Sequence, residues 1–284
     1  MVAGQSKLFR AFKYTVYGLL MLNVWLFFNE EWAASALRFR DGIAFADIIE
    51  GFAATIDTAA WVVLLLMFEL ETYVLEDRHM TRFVAWALQL FRVLCYVFIC
   101  YAFFGYLSKL IFLMQGTPFA SVNDLCALAG QNWAYATDLD QYEMITASTC
   151  DTFTSSHQFV RFAGMDALVD ADGYREIVRL GWVDVINAGV WLGVVGVLEM
   201  DVQLQTRERL HGRIQRISNG AKYIMYSLLF LAAVYWGFKG DFVDFWDAFL
   251  WLVAFVFIEL NVVQWQQEDE LAAKDADAAL HGGA

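Results

Sequence analysis

Residues 57–71 read DTAAWVVLLLMFELE, residues 187–201 read NAGVWLGVVGVLEMD, and residues 247–261 read DAFLWLVAFVFIELN. The three stretches share one pattern. Each opens on an acid or amide (Asp57, Asn187, Asp247), places a Trp four residues later (Trp61, Trp191, Trp251) and a Glu eight residues after that (Glu69, Glu199, Glu259). A further polar residue follows two positions on, at Glu71, Asp201 and Asn261. Self-similarity at this level is the mark of a chain built from repeated units.

The segments between these stretches assign the class. Sixty per cent of the residues are hydrophobic, eleven are Trp, and Pro118 is the only proline. With a mean hydropathy of +0.47, this composition describes a polytopic membrane protein rather than a soluble domain. Six runs are long enough to cross a bilayer, for which a helix needs about 20 apolar residues: 14–32, 52–75, 83–114, 177–204, 221–238 and 242–265.

The odd-numbered runs also resemble one another. LFRAFKY at 8–14 aligns with LFRVLCY at 90–96, and GAKYIMY at 220–226 shares its Lys–Tyr, which places Tyr14, Tyr96 and Tyr223 in register. The expected fold is therefore all-α and integral to the membrane. Six transmembrane helices form three consecutive two-helix hairpin repeats over 1–265, with a small extracytoplasmic cap of short helices at 115–176 between spans 3 and 4. An acidic cytoplasmic tail follows at 266–284. A short interfacial helix is expected within 30–50, where Trp32, Leu37 and Phe39 alternate with charged residues.

Basic residues set the orientation. With the N-terminus inside, twelve of the nineteen Lys and Arg residues fall on inner segments, which favours cytoplasmic N- and C-termini. In a bacterial inner membrane the cap would then face the oxidising periplasm, where Cys126 and Cys150 can form a disulfide. The net charge of −13 lies outside the apolar runs and argues against a nucleic-acid partner. The partners expected instead are the lipid bilayer and either further copies of the chain, as a homo-oligomer, or other membrane subunits.

Two readings of the repeated carboxylates stand side by side. From Asp57 to Glu69 a helix rises about 18 Å, less than the ~30 Å hydrocarbon core. At least one polar tier must therefore enter the low-dielectric zone, where an unpaired charge costs several kcal/mol. In the functional reading Glu69, Glu199 and Glu259 form an inner ring of an ion pathway, with Asp57, Asn187 and Asp247 as an outer tier and Asp184 and Asp244 at the mouth. The chain is then a cation or proton channel or transporter. In the structural reading Lys13, Arg92 and Lys222 neutralise the carboxylates and lock hairpin to hairpin, and the chain is a non-conducting subunit of a membrane complex. Catalysis is not expected. His79, His157, His211 and His281 all lie outside the apolar runs, no phosphate-loop, nucleophile-elbow or zinc-ligand spacing occurs, and neither metal nor cofactor is expected.

Overall fold

A computed structural model describes residues 7–39, 44, 47–71, 81–120, 124–153, 158–206 and 212–255. The chain is mostly helical. In order it forms α1 (Lys7–Arg38), α2 (Asp47–Gly51), α3 (Ala53–Glu69) and α4 (Arg82–Leu113), then the strands β1 (Thr117–Phe119), β2 (Ala134–Ala136), β3 (Tyr142–Met144), β4 (Phe159–Arg161) and β5 (Ala167–Asp170). Next come α5 (Ala171–Thr206), α6 (Arg213–Lys239) and α7, helical from 242 to the last described residue at 255.

Among the described residues, four helices are long and apolar enough to cross a membrane: Arg10–Arg38, Arg82–Leu113, Ala171–Asp201 and Arg213–Lys239. A chain with several such helices is a multi-pass membrane protein. The second and sixth expected spans correspond to α3 and α7, and the rest of each run lies largely outside the described residues.

The helices begin and end where local chemistry dictates. No Gly or Pro interrupts 19–38, so α1 runs unbroken to Arg38 and takes in the first part of the expected interfacial helix; among the described residues of 39–51, the helical ones are those of α2. Gly240, at φ +88°, ends α6 in the left-handed conformation that a side chain would strain, and its N–H bonds Trp236 O at 3.0 Å. Asp241 then caps α7 through the Asp244 N–H, making a two-residue helix-to-helix turn. The first turn of α3 is capped from outside its own segment. Both carboxylate oxygens of Glu31, on α1, accept the Ala54 and Thr55 N–H groups at 2.8 and 3.0 Å, and the Thr55 hydroxyl adds a third bond at 2.6 Å. An anion at a helix N-terminus is favoured by the unpaired N–H groups there.

The expectation of short helices in the cap is corrected. Among the described residues between α4 and α5 only the 3₁₀ turn Leu125–Leu128 is helical, and the segment organises around a five-stranded sheet ordered β1-β4-β5-β2-β3, with α5 already under way at Ala171. β2 and β5 pair in parallel and the other neighbours antiparallel. Strands of three or four residues are too short to show alternation in sequence. Cys126 and Cys150 form a disulfide across the cap, with Cα atoms 5.0 Å apart. Cap and helices share one hydrophobic cluster, in which Leu139, Ile145, Phe162 and Leu168 pack with Leu113, Ile177, Leu180 and Trp236. A second cluster fills the centre of the bundle with Val16, Tyr17, Leu20, Val62, Leu65, Trp191, Val194, Leu229, Leu250, Trp251 and Ala254. It draws on α1, α3, α5, α6 and α7, so the last helix packs back against the first.

Candidate functional site

The three pattern tryptophans meet. Ring centroids of Trp61 and Trp191 lie 5.6 Å apart, those of Trp61 and Trp251 6.2 Å, and those of Trp191 and Trp251 6.4 Å. Tilted and edge-on contacts at these separations are the favoured geometry for aromatic pairs. The acid four residues earlier explains why Trp stands at these places. Trp61 Nε1 donates to Asp57 Oδ1 at 3.1 Å, one helical turn back, and the Trp251 side chain bonds Asp247 in the same way. Trp61 and Trp251 thus have their polar edges satisfied within their own helices and their faces free to pack at the centre, whereas Asn187 Oδ1, four residues before Trp191, accepts no bond among the described residues.

On the cap-proximal side of the indoles lies a polar cavity of about 40 Å³. Its walls carry the carboxyls of Asp57, Asp184, Asp244 and Asp247, the Asn187 amide, Thr58, Tyr106 and the three tryptophans, together with Phe27, Trp236 and Ala248. None of the described residues lining it is basic. The outer tier of the sequence reading (Asp57, Asn187, Asp247) is brought together here, and Asp184 and Asp244 join it. Two of its carboxyls are well partnered: Asp57 also bonds the Tyr106 hydroxyl, and Asp247 Oδ1 accepts from Asn23 Nδ2 at 2.9 Å. Asp184 Oδ1, Asn187 Oδ1 and Trp236 Nε1 are buried without a hydrogen-bond partner.

The inner glutamates are placed differently. Glu69 is buried in a clamp, where its Oε1 accepts from Lys13 Nζ at 2.7 Å and from the Tyr14 hydroxyl at 2.9 Å, and its Oε2 lies 3.4 Å from the Tyr17 hydroxyl. Glu199 is exposed and accepts from the Tyr96 hydroxyl at 2.9 Å. Glu259 lies outside the described residues. Neither Glu69 nor Glu199 lines the cavity. Arg92 binds Glu71 at 2.7 Å and Lys222 binds Asp201 at 2.8 Å, so these two bases neutralise the acid two positions beyond the Glu rather than the Glu itself. The reason is helical phase. Residues two apart point about 200° away from each other, so Glu69 faces Lys13 and Tyr14 of α1 while Glu71 faces Arg92 of α4, and Glu199 faces Tyr96 of α4 while Asp201 faces Lys222 of α6.

Between cavity and cap stands a layer of charge that sequence reasoning did not assemble. Lys109 pairs with Asp140 in the β2–β3 turn at 2.6 Å, Arg38 pairs with Glu50, and both pairs border a second cavity of about 20 Å³ with Glu31 and Tyr142. Asp241 sits in this layer. Burial, reinforced by the negative charge of Asp138 and Asp140 and opposed by hydrogen bonds from Asp244, pushes its carboxyl up to about 6. Burial also raises Asp138, with Asp140 adding to the effect. The signals that could have found this layer were in the sequence. Glu31, Asn23 and Lys109 are polar residues at or inside the margins of apolar runs, and such residues need partners.

No protein-family model matches this sequence, and no curated protein or solved structure matches it.

Proposed function

We propose that the chain is a six-span cell-membrane protein of three two-helix hairpins (α1 with α3, α4 with α5, α6 with α7) that carries a proton or small cation, without enzymatic activity. The observation that carries this reading is the cavity: four carboxyls and an amide gather over three tryptophans, with no basic residue among the described walls. Buried negative charge in a membrane helix bundle attracts cations and excludes anions. With indole centroids 5.6–6.4 Å apart the rings are in contact, so this arrangement is closed and conduction requires them to part.

The orientation follows from charge, with the cap outside and the termini in the cytoplasm, in keeping with the Cys126–Cys150 disulfide in the cap. The pathway assigned to Glu69, Glu199 and Glu259 is narrowed. Lys13 neutralises Glu69, so the outer tier of Asp57, Asn187 and Asp247 carries the selectivity.

Reconstitution in liposomes tests this. The parent is expected to pass cations, and the Asp57→Asn, Asp247→Asn double variant to pass fewer while keeping the folded spectrum. A parent that passes none returns the chain to the second reading, a non-conducting membrane subunit. That reading is favoured by the ion pairs Lys13–Glu69, Arg92–Glu71 and Lys222–Asp201, each of which ties one helix to another.

A further inference from the structure

The unpartnered polar atoms of the cavity are of both kinds. Asp184, 8 % exposed, leaves Oδ1 without a donor, and Asn187 Oδ1 is in the same condition. Trp236, 2 % exposed, leaves Nε1–H without an acceptor. All three residues line the one cavity. A metal cation would satisfy the oxygens but set its charge against the Trp236 N–H. Water satisfies all three, because it accepts from Trp236 and donates to Asp184 and Asn187. A cavity of about 40 Å³ has room for roughly three waters, at about one probe sphere each.

The charge around such a cluster comes from every side. Glu31 on α1, Asp57 on α3, Tyr106 and Lys109 on α4, Asp184 on α5, and Asp241, Asp244 and Asp247 at the start of α7 all act on this region, with Asp138 and Asp140 from the cap. Lys109 is the base among these residues, and it is paired with Asp140. Asp57 and Asp247 already accept hydrogen bonds from Trp61 and Asn23, and Asp244 shares a hydrogen bond with Asp241. Asp184 Oδ1 alone of these carboxyls is buried without a partner among the described residues. Asp184 is therefore the carboxyl with an oxygen left to receive something from the cluster.

We propose, resting on the cation-carrying reading of this same cavity, that it holds a small water cluster and that the ion it takes is the proton, received by Asp184. A hydronium ion in the cluster gives up one proton. Its O–H bond breaks, an O–H bond forms on Asp184 Oδ1, and a neutral water remains to accept from Trp236 Nε1–H. Release reverses the step.

The test uses the full chain in liposomes loaded with a pH-sensitive dye and driven by a membrane potential, with sodium and rubidium tracer uptake measured in parallel. The parent is expected to acidify the lumen without accumulating either tracer. Asp184→Asn is expected to lose proton flux, and Asp184→Glu to retain part of it. Trp236→Phe keeps the charge and the ring while removing the N–H, and is expected to lower proton flux with tracer uptake still absent. Tracer uptake without acidification overturns the proton assignment and leaves cation transport standing. No flux of any ion overturns both. Should Asp184→Asn fail to fold, undiminished flux through folded Trp236→Phe overturns the water-held proton.

Discussion

Lys13 and Glu69 meet at side-chain exposures of 1 % and 7 %, with the Tyr14 and Tyr17 hydroxyls completing the carboxylate's partners. Removing one member of such a pair strands the other charge in a low-dielectric interior, at a cost of about 3–5 kcal/mol. Lys13→Met should therefore lower unfolding stability in detergent by that order, and adding Glu69→Gln should restore part of it, because no charge is then left alone. A smaller loss in Lys13→Met than in the double variant would contradict the pairing. Asp241 makes a prediction of opposite character. Its carboxyl is pushed up to about 6, above the ordinary 3.8, so the folded protein binds a proton that the unfolded chain has released between those values. Its contribution to stability is therefore fully present below about 3.8 and is lost as pH rises through about 6. Asp241→Asn keeps a capping side chain for α7 and should flatten the pH dependence of melting between pH 4 and 7.

Helices and strands differ in how far they could be read from residues alone. The long helices announce themselves as apolar runs; α4 matches its run to within a residue at each end, but α1 extends to Lys7 and Arg38, beyond the expected 14–32, and two other helices start early. α5 begins at Ala171 and α6 at Arg213, ahead of the apolar runs at 177 and 221, because the polar first turns of a helix carry no hydropathy signal. The strands of the cap were illegible for a different reason: each is only three or four residues long, and two of the pairings that order the sheet, β1 with β4 and β2 with β5, join residues at least 33 positions apart. Close approach of helices was equally hidden. A Cβ on Gly105 would run into the Ile49 carbonyl oxygen and come within 2.9 Å of Ala53 Cβ, so α4 meets α2 and the start of α3 backbone to backbone. Gly105→Ala should destabilise the protein by about 1–3 kcal/mol through this overlap. Gly196→Ala, with open space around its position, should be tolerated in the same unfolding assay.

The cap is attached to the helices by a shared core and closed on itself by one disulfide. The Cys126–Cys150 bridge encloses a 24-residue separation, and a loop of that size corresponds to about 3 kcal/mol of stabilisation through the unfolded chain. Paired Cys126→Ser, Cys150→Ser substitution should lower the melting temperature measured without reductant to the value the parent shows with it. Equal melting of parent and variant in oxidising buffer would mean that the bridge contributes nothing. Because Leu139 and Ile145 of the cap pack in one cluster with Leu113, Leu180 and Trp236 of the helices, loosening the cap should also reach the end of the bundle where the acidic cavity lies.

The amino-acid pattern alone carried the class, the long apolar helices, the shared acid–Trp–Glu spacing and the cysteine pair able to bridge. These are properties of composition and one-dimensional spacing, which hydropathy and helical rise translate directly into membrane depth. Helical phase could not tell which polar tier faces inward, because a shift of two residues turns a side chain to the opposite side. Only packing decided that Asp57, Asn187 and Asp247 line a shared cavity above three touching indoles, while Glu69 is held by Lys13 and Glu199 stays exposed against Tyr96. Glu31 capping α3, Asn23 reaching Asp247 and Lys109 meeting Asp140 belong to that same order of information. Each joins residues at least 23 positions apart in the chain, and no local spacing rule connects residues that only the fold makes neighbours.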